Sequence, residues 1–103
     1  MPLTIDEVVA LADAALDRVT DWKRDAREND PKVAPYKMRA FVGTADGWHF
    51  VITDFSIEEQ GFPPGSRGYD GAARHAEKGL VLHLTRETAQ KGLERALAAT
   101  CGN

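Results

Sequence analysis

Residues 36–57, YKMRAFVGTADGWHFVITDFSI, hold two runs of alternating residues joined by a tight turn, and no other stretch constrains the fold as strongly. Successive strand residues point to opposite sides, so each run divides into two faces. Tyr36, Met38, Ala40 and Val42 make an apolar set in the first run, and Trp48, Phe50 and Ile52 make one in the second. The turn decides whether these sets meet, because a one-residue slip moves every side chain to the other face. A three-residue Ala45-Asp46-Gly47 loop, with Gly47 at the left-handed position of a bulged hairpin, sets Val42 opposite Phe50 and Ala40 opposite Ile52. A two-residue Asp46-Gly47 turn sets Val42 opposite Val51 and mixes the faces. The longer loop is therefore expected. It leaves a second face of Lys37, Arg39, Phe41, Val51, Thr53 and Phe55, with His49 near the turn.

Upstream, Thr4 reads as a helix N-cap and Glu7 completes a capping box, with Leu3 and Val8 placed as a hydrophobic staple. Ile5, Val8, Val9, Ala12, Ala15, Leu16, Val19 and Trp22 then recur at helical spacing, and Asn29-Asp30-Pro31 stops the pattern. A helix of about 25 residues would be nearly ~40 Å long, more than a small sheet covers. Its polar side carries Asp13, Asp17, Asp21 and Asp25 at four-residue spacing. Like charges at that spacing destabilise a helix. The row reads either as an acidic ridge for a basic partner or as a solvated face relieved by Arg18, Lys23 and Arg24.

Downstream, residues 56–79 read as one long connection, with Gly and Pro through residues 61–68 and a short helix that Asp70 caps and Gly79 ends. Arg67, Tyr69, Arg74 and His75 lie close together there, a candidate contact for an anion or ligand, or an ordinary surface crossover. LVLHLT, residues 80–85, forms a third strand with Leu80, Leu82 and Leu84 inward and Val81 and His83 outward. Thr85 caps a last helix whose inward positions, Ala89, Gly92, Leu93, Ala96 and Leu97, are mostly small. Gly92 in mid-helix costs about 1 kcal/mol and implies close approach to the sheet or the first helix. Gly102 is the expected stop.

The expectation is a single α+β domain over residues 1–103: helix, three-stranded antiparallel meander, helix, with both helices on one sheet face. This order is similar to that of the double-stranded RNA-binding domain. That family presents a lysine cluster at the start of its last helix, whereas here RETAQKG sets Glu87 beside Arg86 and puts Lys91 a turn on. With a net charge of −3 as well, nucleic acid is disfavoured as a partner.

Two helices leave one sheet face without a cover, and that face, with Lys37, Arg39, Phe41, His49, Val51, Thr53, Phe55, Val81 and His83, is the expected interaction surface. The primary expectation is a non-enzymatic module that self-associates or binds another protein there. Alternatives are a small-molecule-binding domain or small enzyme with a pocket between this face and residues 56–79, and an acidic inhibitor of a nucleic-acid-handling enzyme acting through the Asp row. No catalytic motif, paired cysteines or metal spacing is present, so neither cofactor nor metal is expected; His49 and His83 alone are too few for zinc. The lone Cys101 and the lack of a signal-like N-terminal run point to the cytoplasm. No apolar run approaches the roughly 20 residues that span a bilayer.

Overall fold

A computed structural model describes residues 2–101, and for Cys101 the backbone alone. The Asp46-Gly47 turn sets its architecture. Both residues are left-handed, with φ of 53° at Asp46 and 84° at Gly47, which is the mirror-image two-residue turn whose twist matches that of paired strands. It joins β2 (Arg39–Ala45) to β3 (Trp48–Ser56) with Ala45 opposite Trp48, Val42 opposite Val51 and Phe41 opposite Ile52. The three-residue loop expected from the sequence is thereby overturned, and the β2 faces exchange. Phe41 goes inward and is fully buried, while Val42 goes outward. Gly43 also faces inward and replaces an apolar side chain with space: a Cβ there would lie 2.5 Å from Val19 and 2.8 Å from the Trp22 ring.

The expected three-stranded sheet is likewise corrected to five antiparallel strands in chain order, β1-β2-β3-β4-β5. β1 (Lys23–Arg24) pairs with β2, with Lys23 opposite Val42. β4 (Arg67–His75) pairs with β3 along its whole length, and β5 (Leu80–His83) pairs with the last part of β4. The expected helix after Asp70 thus does not form, and the segment read as loop and short helix contains a nine-residue strand. Its composition hides it, because Gly68, Gly71, Ala72 and Ala73 have little strand propensity of their own. Packing overrides that preference: a Cβ at Gly71 would come within 2.9 Å of Leu84, and one at Gly68 within 2.9 Å of the Phe55 ring.

Helix α1 (Ile5–Leu16) has the capping box expected at Thr4 and Glu7, with both reciprocal hydrogen bonds formed. It ends at Leu16, well short of the expected stop near residue 29. Asp17 caps it and pairs with Lys91 and Arg95 of α2 (Arg86–Cys101). Val19 and Trp22 still turn inward, but from irregular chain laid across Gly43. Thr85 caps α2 by accepting from the Thr88 N–H. Gly92 allows the close approach anticipated for it, since a Cβ there would stand 2.1 Å from Ile52 and 3.1 Å from Leu16. The expected stop at Gly102 and the Cys101 thiol lie outside the described residues.

Both helices cover the face formed by Phe41, Phe50, Ile52 and Ala73, and Ala12, Leu16, Leu93 and Ala96 complete the core. Burying each large side chain contributes about 1.5–3 kcal/mol, so the register is the arrangement that hides both Phe41 and Phe50. Accordingly, Phe41→Asp should abolish cooperative urea unfolding by placing an unpaired charge in the core, while Val42→Asp should leave a folded chain. Equal effects of the two substitutions would contradict this register.

Candidate interaction face

The sheet surface away from the helices is built from alternate residues: Val42 and Thr44 on β2, His49, Val51 and Thr53 on β3, Ala72 and Arg74 on β4, and Val81 and His83 on β5. One cross-strand row runs His49, Arg74, Val81, and the next runs Lys23, Val42, Val51, Ala72, His83. Val81 is 75% exposed. A 3₁₀ turn, Ala26–Asn29, follows β1 and carries Arg27 over the middle of this surface, where it lines two open grooves of about 260 and 360 Å³. Val51, His49 and Arg74 are shared by both grooves. The same segment covers the β2 end, since the Asp25 N–H donates to the Ala40 carbonyl and Ala40 is fully buried.

This face carries charges of both signs. Lys23, Arg27 and Arg74 supply positive charge, and His49 and His83 add imidazoles. Asp21, Asp25 and Asp70 set three carboxylates against them, each held by a hydrogen bond, and Asp25 pairs with Arg27 itself. Asp21 accepts from the Thr44 N–H at 2.7 Å and its hydroxyl at 2.6 Å, and the hydroxyl contact is the leading cause of its lowered pKa. Asp25 accepts from the Arg27 side chain at 2.5 Å, which holds its carboxyl below the usual range, and Asp70 accepts from the Gly71 N–H.

Of the nine residues expected on this face, His49, Val51, Thr53, Phe55, Val81 and His83 lie on it, although Phe55 reaches away over Gly68. Phe41 and Arg39 do not, because the corrected register turns both inward, and Lys37 precedes β2 in a left-handed conformation. Val42, Ala72, Arg74, Lys23 and Arg27 take their place. The first three follow from the turn and from β4, which alternation alone could not supply. His49 and His83 are separated by the whole of β4, and among the described residues no group of three or more metal-ligating side chains forms.

The acidic ridge is not assembled either, since α1 ends before three of its four members. Asp13 accepts from the Thr88 hydroxyl at 2.8 Å, Asp17 is held by Lys91 and Arg95, Asp21 caps Thr44, and Asp25 caps the 3₁₀ turn. The Arg67, Tyr69, Arg74, His75 group is dispersed by strand geometry. Arg67, Tyr69 and His75 face the helices and Arg74 faces away. His75 is buried, edge-on to Trp48 at 5.2 Å, with Nε2 3.2 Å from the Asp46 carbonyl and Nδ1 accepting from the Lys78 N–H. It locks two turns together.

From the sequence Asp54 stands at the end of the second strand with nothing to say what it meets, because its partners Arg39 and Arg67 come from other strands. It is 1% exposed on the helix side of β3. Arg39 reaches it from β2 at 2.9 and 2.5 Å, and Arg67 reaches it from β4 at 2.8 Å while also donating to the Lys37 carbonyl at 2.5 Å. Burial pushes the Asp54 carboxyl up, but the hydrogen bonds and charges of Arg39 and Arg67 outweigh it and hold the pKa below the usual value. The cluster pins three strands at the end of the sheet opposite the Asp46-Gly47 turn.

Fold and site together define a small α+β protein with one helix-covered sheet face and one open face on which a small apolar centre is ringed by charges of both signs. No helix among the described residues is long and apolar enough to cross a membrane. No protein-family model, curated protein or solved structure matches this chain.

With its folded pKa depressed, Asp54 contributes stability above its unfolded value of about 3.9 that is lost as the pH falls through the folded value. Asp54→Asn should therefore lower unfolding free energy near pH 7 by about 2 kcal/mol, and urea midpoints should show a shallower acid limb below about pH 4. A variant whose acid limb matched that of the unaltered chain would contradict this role.

Proposed function

We propose that this chain is a small, non-enzymatic interaction module whose open sheet face docks another protein. The observation that carries the reading is the exposed apolar centre of Val51, Ala72 and Val81, ringed by His49, Arg74, His83, Asp70 and the Arg27–Asp25 pair on a sheet face that no helix covers. Charged side chains of both signs around it form the polar rim that fixes how a partner seats. The small apolar centre supplies area that gains from exclusion of water once a partner seats.

Nucleic acid fits less well, because the central rows offer no aromatic ring on which a base could stack. For catalysis, the deepest carboxylate, Asp54, is committed to two guanidinium groups and is not poised beside a reacting atom. A cytoplasmic setting belongs to the proposal and rests on the single cysteine.

The test compares affinity capture by the unaltered chain, by an Arg74→Glu/Val81→Asp double variant, and by a Glu94→Ala variant on the exposed side of α2. The expected outcome is a protein retained by the first and third and lost by the second, with affinity about tenfold or more weaker. A partner held equally by all three would contradict the reading.

A further inference from the structure

We infer that the free half of the β4 edge is a strand-addition site for an extended peptide of a partner protein, one in which apolar and acidic residues alternate. The inference is independent of the open-face reading and concerns a different part of the molecule. β5 pairs with only residues 72–75 of β4. The pairing ends where the Leu84 N–H donates to the Gly71 carbonyl at 2.9 Å, after which the chain turns into α2 at Arg86. Residues 67–70 have β3 on one side and no strand on the other.

The hydrogen-bonding direction at this edge follows from the ladder. In an antiparallel strand the N–H and C=O of one residue point to the same side, and the side alternates along the chain. Gly71 points toward β5: its carbonyl takes the Leu84 N–H, and its own N–H, past the end of β5, is met by the Asp70 carboxylate at 2.8 Å. Tyr69, two residues earlier, therefore turns its N–H and C=O to that same side, where no strand lies among the described residues. Proteins usually guard such an edge with charge, a bulge or a covering element. Here Gly68 and Tyr69 stand at its middle, uncharged.

Beside this edge is a cleft of about 470 Å³ whose two walls differ. On the open-face side lie Phe55 and Ile57, which a Cβ at Gly68 would meet at 2.9 and 3.2 Å. On the helix side lie Leu84, Arg86 and Ala89. Phe62, 51% exposed, also lines the cleft. Arg86 has no ion-pair or hydrogen-bond partner among the described residues and Arg67 is taken by Asp54, while Asp70 keeps its negative charge on the open-face side of the strand, away from Arg86. A strand laid along Tyr69 alternates its side chains between these walls, setting an apolar residue against Ile57 and the next, acidic one toward Arg86. Main-chain bonds supply the docking and the two walls supply the selection, which is the mode of strand addition at other sheet edges.

The experiment titrates the isotopically labelled full chain with acetyl-Val-Glu-Val-Glu-Val-amide and follows backbone amides by NMR. The expected result is a shift and at least a tenfold slowing of hydrogen exchange centred on the Tyr69 amide. Affinity should fall tenfold or more when the peptide is N-methylated at the backbone nitrogen that pairs there, found by methylating each position in turn. Replacing Glu by Lys in the peptide, or Arg86→Glu in the protein, should each weaken binding at least fivefold, with Phe62→Ala as a surface variant that also weakens it. Shifts centred on Val51 and Arg74, indifference to every N-methylation, no response at millimolar peptide, or protection of Tyr69 by self-association of the chain in sedimentation would each overturn the inference.

Discussion

Two consecutive left-handed residues, Asp46 and Gly47, hold the β2–β3 hairpin in one register, and nearly every other feature of the fold answers to that choice. With a two-residue turn, Phe41, Gly43 and Ala45 share a side with Ile52, Phe50 and Trp48. The gap at Gly43 then admits Trp22, whose ring centroid lies 6.4 Å from that of Phe50. The turn is held from three directions. Gly47 is so close to His75 that a Cβ would come within 2.5 Å of Nε2, the Asp46 carbonyl meets the same imidazole, and Arg18 pairs with the Asp46 carboxylate.

Small residues at contact points carry the same logic through the helix layer. Gly43, Gly71 and Gly92 each sit where a neighbouring side chain occupies the space of a missing Cβ. The helices are thereby drawn onto one sheet face, and the large apolar residues are spent there. What is left for the other face is Val42, Val51, Ala72 and Val81, too little apolar area to demand a cover but enough to favour one when a partner seats. The charged side chains that surround them are held out by strand alternation and by the 3₁₀ turn bearing Arg27. At the far end of the sheet the Asp54 cluster does the opposite work, neutralising charge inside where β2, β3 and β4 meet.

How much of this could be read from residues alone varies with how local the determining interaction is. The capping box at Thr4 and Glu7, the cap at Thr85 and the crowding implied by Gly92 were legible because each depends on a few neighbours in sequence or on one missing side chain. The register was misread because alternation gave Phe41 no precedence over Ala40 and Val42. Counting apolar residues favoured the pair of smaller ones, whereas burying one phenyl ring outweighs them. β4 was missed because its Gly and Ala residues become strand only through what packs on them. The early end of α1 is not legible because Val19 and Trp22, at helical spacing in the sequence, pack across Gly43 from irregular chain. Half of the open face survived these errors, since the faces of β3 and β5 were assigned by alternation from Trp48, Phe50, Ile52 and the three leucines without reference to the turn.

The most direct test of the account is the set of Hα–Hα nuclear Overhauser contacts across the hairpin. In this register Val42 and Val51 are directly opposed as a pair without mutual main-chain hydrogen bonds, where Cα atoms approach to about 4.5 Å. A strong contact between their α-protons, with another between Thr44 and His49, is the result expected. A contact from Val42 to Phe50 in its place would show the turn one residue longer, return Phe41 to the open face, and remove the basis for the charge arrangement described above.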